Sequence, residues 1–62
     1  MPLITIHMYT GRTHAQKAEM ARAITDAVVT IAKTTPEATQ VIFIEVPRES
    51  WASAGVLASD KK

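Results

Sequence analysis

The chain has 62 residues, no cysteine and a formal net charge of +1. A chain of this length forms one domain, predicted over residues 1–62, and buries only about 60% of its unfolded surface, so that a lone monomer would be marginally stable. Without cysteine, disulfides and thiolate metal sites are excluded, and the two histidines do not suggest a metal site. Since 47% of the residues are hydrophobic, oligomerisation is the expected source of stability.

The same composition argues against two classes of partner. A nearly neutral chain gives no electrostatic case for nucleic acid, which favours a basic face. The longest apolar run is far shorter than the ~20 residues that a membrane span needs. The first residues also lack the charged start and cleavage site of a secretory signal. We therefore expect a cytoplasmic protein with no nucleic-acid and no membrane partner.

The first half of the chain predicts a strand followed by a helix. Residues Leu3 to Tyr9 alternate as a strand does, and a turn at Thr10–Arg12 follows, in which Gly11 can take a positive φ. The helix is predicted from His14 to Lys33, with a capping box formed by Thr13 and Gln16. Its predicted apolar stripe consists of Met20, Ile24, Ala27, Val28 and Ile31.

The second half predicts another strand and a hairpin. Residues Gln40 to Val46 read as a strand that is apolar at every position from 41 to 44, which is typical of parallel strands buried on both faces. Before it, Thr35 and Pro36 can open one short extra turn. After Pro47, the sequence predicts a small hairpin between residues 51–52 and 56–57 that pairs with a neighbouring subunit.

Strand, helix and strand in this order predict a right-handed βαβ unit with parallel strands. The expected fold class is α+β, a βαβ unit with a C-terminal hairpin. One helix covers only one face of a two-stranded sheet, and no other element is large enough to cover the second face. Copies of the chain must cover it, so the sequence predicts an oligomer of undefined order.

Pro2 is the first candidate for chemistry. If Met1 is removed, the Pro2 nitrogen becomes a free secondary amine, which no internal residue can supply. A general base works best when its pKa lies near the working pH. Burial in an apolar pocket and a nearby cation both disfavour the protonated amine, and Arg12 is the candidate cation. Arg12 also carries a planar fork suited to a carboxylate.

Taken together, Pro2, Gly11-Arg12-Thr13, Gln16-Lys17 and Leu57-Ala58-Ser59, with Ile6-His7 and Glu45, resemble the 4-oxalocrotonate tautomerase family. The resemblance covers nearly the whole chain and implies a tautomerase-like fold with an amino-terminal proline as catalytic base. It also implies a hexamer of three dimers with helices outside, no cofactor and a setting in aromatic degradation. A homo-oligomer is expected, and a hetero-oligomer remains an alternative.

The resemblance assigns three further site residues. It implies that Arg12 binds substrate and that Trp51 belongs to the apolar wall of the site. At Gln40 the sequence departs from the family, whose best-known members carry a second arginine there. Glutamine brings no charge, which puts a diacid substrate in doubt. Arg48 could replace the missing arginine, although the favoured interpretation of Arg48 is a solvated loop cation. A different partner subunit is another possible source of the missing arginine.

The expected function is therefore keto–enol isomerisation of a small 2-hydroxy or 2-oxo unsaturated acid, with processed Pro2 as base and Arg12, Gln40 and Trp51 binding the carboxylate substrate. Two alternatives stay open. One is hydration or dehalogenation on the same scaffold, with Pro2 as an acid. The other is a non-catalytic subunit of an oligomer, which Gln40 favours. His7, His14 and Glu45 are interpreted as structural or solvated residues.

Overall fold

Two parallel strands and one helix form the body of the chain, and a computed structural model describes residues 2–61 of it. The elements are β1 (Leu3–Tyr9), α1 (His14–Ala32), β2 (Gln40–Val46), β3 (Ala52–Ser53) and β4 (Val56–Leu57). β1 pairs with β2 in parallel, and β3 pairs with β4 as an antiparallel hairpin. The α+β class, the βαβ unit, its parallel strands and the hairpin are thus confirmed.

The ends of α1 follow the capping signals in the sequence. The Thr13 hydroxyl accepts a hydrogen bond from the Gln16 backbone N–H (3.1 Å), and the Gln16 side-chain oxygen accepts one from the Thr13 N–H (2.9 Å). Such a cap contributes about 1 kcal/mol. At the other end Lys33 adopts a left-handed conformation with φ 57°, and the Thr34 N–H donates to the Val29 carbonyl.

The side of α1 that faces the sheet is rotated from the predicted stripe. Met20, Ile24 and Val28 are half-buried as predicted. Ala27 is exposed and Ile31 is 80% exposed, so the predicted stripe extends beyond the side of α1 that packs on the sheet. The half-buried face continues instead through Ala21 and Thr25, because a sheet of two strands covers only a narrow strip of the helix.

Turns fix where the strands begin and end. Gly11 has φ 123°, the positive value expected for the turn after β1. Before β2, the Thr35 hydroxyl accepts a hydrogen bond from the Ala38 N–H at 3.3 Å, and the Thr39 N–H donates to the Pro36 carbonyl at 3.1 Å. The short extra turn predicted at Thr35 and Pro36 is therefore confirmed.

The hairpin near residue 55 is tied back to the segment after β2. Its two-residue loop places Ala54 at φ 55° and Gly55 at φ 78°, the pair of positive values that a type I′ turn requires. The Ala58 N–H donates to the Trp51 carbonyl at 2.7 Å. Trp51 is therefore fixed at the base of the hairpin.

One face of the sheet is not covered by any of the described residues 2–61. We call it the open face, and it consists of Leu3, Thr5 and His7 of β1 and Gln40, Ile42 and Ile44 of β2, all exposed. Leu3 is 55%, Ile42 47% and Ile44 42% exposed. The alternate residues of the same strands, such as Ile6 and Phe43, are half-buried beneath α1.

The dimensions of the chain differ from those of a self-contained domain. Its radius of gyration is 14.7 Å, with extents of 42 × 24 × 14 Å, whereas a compact domain of this length would have about 11 Å. Among residues 2–61, Ala58 alone is buried, at 8% exposure. A single chain therefore has almost no interior of its own.

Across residues 2–61, no helix is both long enough and apolar enough to cross a bilayer. The cytoplasmic location stays a prediction.

Candidate functional site

The parallel register sorts the candidate residues into two groups at opposite edges of the sheet. Both strands begin at one edge, the start edge, where the Gln40 N–H donates to the Pro2 carbonyl at 3.0 Å. Both strands finish at the other edge, the end edge, which carries Arg12, Arg48 and Trp51. A strand of seven residues separates the two edges by about 23 Å. The structure therefore brings Arg12 to Trp51 and Pro2 to Gln40, and does not bring Pro2 to Arg12 within one chain.

A cleft of about 490 Å³ opens at the end edge. We call it the arginine cleft, and its lining residues are Met8, Tyr9, Thr10, Gly11, Arg12, Arg48 and Trp51. The volume lies within the range of small-molecule sites. The turn after β1 contributes Arg12, and the short 3₁₀ turn after β2 (Arg48–Ser50) contributes Arg48. Two segments distant in sequence thus meet because β1 and β2 finish side by side.

Aromatic packing organises one wall of the arginine cleft. The Tyr9 and Trp51 rings meet edge to face, with centroids 4.8 Å apart and planes inclined by 66°. The Arg48 guanidinium carbon lies 4.4 Å from the centre of the Tyr9 ring. A cation over an aromatic face contributes about 0.5–1 kcal/mol at an exposed site. Trp51 thus lies in the wall of a cleft that Arg12 also lines, and its role in a substrate site stays a prediction.

Sequence reasoning did not identify Tyr9 and interpreted Arg48 as a solvated loop cation. The structure places both residues in the arginine cleft and stacks one upon the other. The parallel register of β1 and β2 explains this contact. Tyr9 lies opposite Val46, so Arg48, two positions beyond Val46, comes within reach of the Tyr9 ring.

The start edge has different chemistry. Pro2 is half-buried, and Gln40 is exposed on the open face. Of the three arginines, Arg12 and Arg48 line the cleft at the end edge, and Arg22 lies on α1. The start edge therefore offers an amide side chain at Gln40 and no guanidinium. Met1, whose removal would free the Pro2 nitrogen, lies outside the described residues.

The remaining candidates have structural explanations. The Lys17 ammonium donates to the Glu45 carboxylate at 3.0 Å, so Glu45 joins the sheet to α1 as a hydrogen-bonded strand residue. His7 is on the open face, and His14 is exposed in the first turn of α1. Among residues 2–61, no three His, Cys, Asp or Glu side chains cluster in a way that could hold a metal ion.

The arginine cleft can bind an anion but has no evident base. Guanidinium groups bind carboxylates through paired, charge-assisted hydrogen bonds. The described lining includes no carboxylate, histidine or lysine side chain. Proton transfer at a substrate held there would need a group from elsewhere, and the other candidate group, Pro2, lies at the far edge of the same chain. Within one chain, therefore, the structure does not bring Pro2 and the two cleft arginines to one place.

Comparisons with known proteins show relatives that match nearly the whole chain. The model of the family described as "Tautomerase enzyme" matches residues 2–61. A 2-hydroxymuconate tautomerase of Pseudomonas putida is 37% identical over 60 residues, which cover 97% of this chain and 95% of that protein.

Two solved structures superpose on this chain over nearly the whole length of both chains. A homologue of 4-oxalocrotonate tautomerase superposes with a TM-score of 0.94 at 31% identity, covering 98% of this chain and 100% of that one. A heterohexameric 4-oxalocrotonate tautomerase from Chloroflexus aurantiacus superposes with a TM-score of 0.93 at 32% identity, with both chains fully covered.

Proposed function

The chain belongs to the tautomerase family, and from this premise we propose that it is a cofactor-independent isomerase of a small 2-hydroxy or 2-oxo unsaturated acid. The observation that carries the proposal is the division of the site. A cleft with two arginines and no base lies at one edge of the sheet, and Pro2 lies at the other. The substrate carboxylate binds in the arginine cleft, and the Pro2 amine of another chain supplies the base.

Each proposed residue has one role in the reaction. The Pro2 nitrogen removes the proton from the enol hydroxyl, the electrons of the O–H bond form the carbonyl π bond, and the electrons of the adjacent carbon–carbon double bond move to the carbon that will be protonated. In a conjugated dienol these electrons form a shifted double bond, and the carbon at the far end of the diene takes the proton. The protonated amine then returns the proton to carbon, so the reaction needs no redox partner. Arg12 holds the carboxylate, Trp51 excludes water from one side, and Gln40 donates a hydrogen bond to the substrate.

The proposed mechanism requires an oligomer. A hexamer built as three dimers would cover the open face and bring the start edge of one chain to the end edge of another. One solved relative is a heterohexamer, so a second chain type is the alternative to six identical copies. A cytoplasmic location and a role in aromatic degradation are part of the same proposal, and the name of the Pseudomonas relative supports testing a muconate enol.

Gln40 supports a second candidate function. If the start edge needs a cation for catalysis, a chain with glutamine there would act as the non-catalytic partner in a mixed oligomer. Hydration or dehalogenation of an unsaturated acid is a further alternative on the same scaffold, with protonated Pro2 as the acid. Both alternatives predict little enol turnover by the isolated chain.

The decisive experiment compares two forms of the protein that differ only in Met1. Intact mass separates protein that begins at Pro2 from protein that retains Met1. Both forms are then assayed with 2-hydroxymuconate and enol-phenylpyruvate. We expect turnover only from the processed form, because an amide nitrogen cannot accept the proton. Equal turnover by a form with Met1 verified would exclude Pro2 as the base.

A substitution and a pH profile test the same base independently. Pro2→Ala retains a terminal amine and loses the ring, so kcat/KM should fall without vanishing. Only the unprotonated amine is active, so kcat/KM should rise with pH through the pKa of the base. Apolar surroundings and the partner chain's cations disfavour the protonated form, so this rise should occur at lower pH than for a free secondary amine. A rise in the range of an ordinary free amine would contradict the proposed environment of Pro2.

A further inference from the structure

Two guanidinium groups line the arginine cleft, and neither is neutralised by a carboxylate of the described chain. The ion pair that forms among residues 2–61 joins Lys17 to Glu45, on the side of the sheet covered by α1. The guanidinium groups of Arg12 and Arg48 can therefore both interact with a ligand in the cleft. An anion in the arginine cleft would lie in a space that both side chains line.

The local backbone holds Arg48 in place. Pro47 has φ −66° and begins a tight turn in which the Ser50 N–H donates to the Pro47 carbonyl at 2.9 Å. The Trp51 N–H donates to the Arg48 carbonyl at 3.3 Å. A single short turn thus positions Arg48 and Trp51 together.

The aromatic wall orients the Arg48 side chain as well. Its guanidinium stacks on Tyr9, and Tyr9 in turn packs against Trp51. A side chain oriented before binding loses less rotational freedom when a ligand arrives, which favours affinity. Arg48 therefore has the geometry of a binding residue and not that of a freely solvated loop cation.

We propose that Arg48 is a specificity-determining residue that binds the same substrate carboxylate as Arg12. This inference rests on the proposed function for the nature of the substrate. It follows that positive charge is concentrated at the end edge, where one carboxylate meets two arginines. None of the three arginines lies at the start edge, where Gln40 offers an amide, so the far end of the preferred substrate is uncharged. The substrate class is a monocarboxylic 2-hydroxy-2-enoate with a neutral tail.

Binding can be measured without catalysis through Trp51, the only tryptophan of the chain, which lies in the wall of the arginine cleft. Its fluorescence is titrated with 3-phenylpropanoate, a saturated monocarboxylate that cannot enolise, and with adipate, a dicarboxylate. The full oligomeric protein is used throughout. We expect wild-type protein to bind 3-phenylpropanoate at least as tightly as adipate.

Three variants test, in turn, the charge of Arg48, the planar geometry of its guanidinium, and the effect of removing an arginine outside the arginine cleft. Arg48→Gln should raise the Kd for 3-phenylpropanoate roughly 10- to 100-fold, the effect of one charge-assisted hydrogen bond. Arg48→Lys keeps the charge and loses the planar fork, so its Kd should be intermediate. Arg22→Gln removes an exposed arginine from α1, outside the arginine cleft, and should leave the Kd unchanged. In enol assays, Arg48→Gln should raise KM more than it lowers kcat.

A fourth variant tests the stacking while both arginines are kept. Tyr9→Leu removes the ring beneath Arg48 and should weaken 3-phenylpropanoate binding severalfold. It also keeps the inference falsifiable if Arg48→Gln fails to assemble: unchanged affinity in a folded Tyr9→Leu oligomer would contradict the orienting role of the ring.

The outcomes separate this inference from the proposed function. A Kd for Arg48→Gln within twofold of that for Arg22→Gln would overturn the role of Arg48, even if wild-type protein isomerises enols. If Arg48→Gln lost affinity for adipate but kept its affinity for 3-phenylpropanoate, the shared-carboxylate geometry would be overturned. Arg48 would then bind the second carboxylate of a dicarboxylate. Conversely, tight binding of 3-phenylpropanoate that depends on Arg48, in a processed protein without enol turnover, would support the binding assignment and contradict the isomerase.

Discussion

Gln40 is the residue at which charge could be added to the start edge. It lies opposite Leu3 in the register, next to Pro2, and its side chain is exposed on the open face. In the proposed site, a substrate whose carboxylate occupies the arginine cleft of one chain would place its enol beside Pro2 of another, with the rest of its carbon chain extending past Gln40. An amide there can donate a hydrogen bond to a neutral oxygen but does not balance a second negative charge.

Gln40→Arg should therefore improve turnover of dicarboxylates more than that of monocarboxylates. A new charge-assisted hydrogen bond contributes about 1.5–3 kcal/mol, which corresponds to about tenfold or more in kcat/KM. The measurement is the ratio of kcat/KM for 2-hydroxymuconate to that for enol-phenylpyruvate. Thr30→Arg adds the same charge at an exposed position of α1 and should leave the ratio unchanged. An unchanged ratio in Gln40→Arg would mean that residue 40 does not face the substrate.

At the scale of residues, the sequence predicted where Arg12 and Trp51 lie along the chain, but it did not predict which side chains contact each other in the cleft. The strand-turn-helix pattern places Arg12 after β1, and the position of Trp51 after β2 is equally clear. The stacking of Arg48 on Tyr9 depends on side-chain rotamers and on two segments that meet only through the parallel register. No local pattern contains that information, so the sequence favours a solvated loop cation at Arg48, whereas the structure places Arg48 in the arginine cleft.

At the scale of elements, the hairpin contains a residue that fits its backbone poorly. Type I′ turns favour Asn-Gly because both central residues need positive φ. This chain has Ala54 at φ 55° before Gly55, and the left-handed region costs a residue with a Cβ atom about 1 kcal/mol or more. Asparagine tolerates that region because its side chain bonds locally.

Ala54→Asn should therefore stabilise the protein by about 0.5–1 kcal/mol per chain. Ala54→Val is the matched opposite, since a β-branched residue at positive φ is strained and should destabilise. The measurement is the urea midpoint of each variant at one protein concentration, because oligomer stability depends on concentration. If Ala54→Val were as stable as Ala54→Asn, the hairpin backbone would not have the described conformation.

The sequence pattern predicts where the elements begin and end better than it predicts how they pack. Capping and turn residues specify α1 and both long strands, because these signals act over three or four neighbours. The face of α1 that packs on the sheet is less predictable: Ile31 fits the apolar period but lies on a flank, and Thr25 faces inward. Apolar residues at helical spacing show that a helix is amphipathic. Which side of the helix becomes half-buried depends on how the helix packs on the sheet.

At the scale of the whole molecule, apolar surface and shape lead to the same expectation. The open face leaves Leu3, Ile42 and Ile44 exposed, and the chain is wider than a compact domain of its length. Burying a large aliphatic side chain fully is worth about 1.5–3 kcal/mol. Assembly is therefore expected to supply much of the stability that a single chain lacks, and to unite the two edges of the site.

We accordingly expect an obligate oligomer, with a hexamer as the predicted order. Sedimentation at micromolar concentration should show the mass of six chains and no folded monomer. Ile44→Asp places a charge in the centre of the open face, where burial without a partner is costly, and should give smaller species or unfolded chain. Thr30→Asp adds the same charge at an exposed position of α1 and should sediment like wild type. A wild-type monomer that stays folded would contradict both the assembly and the shared site, because Pro2 and Arg12 of one chain are too far apart to act on one substrate.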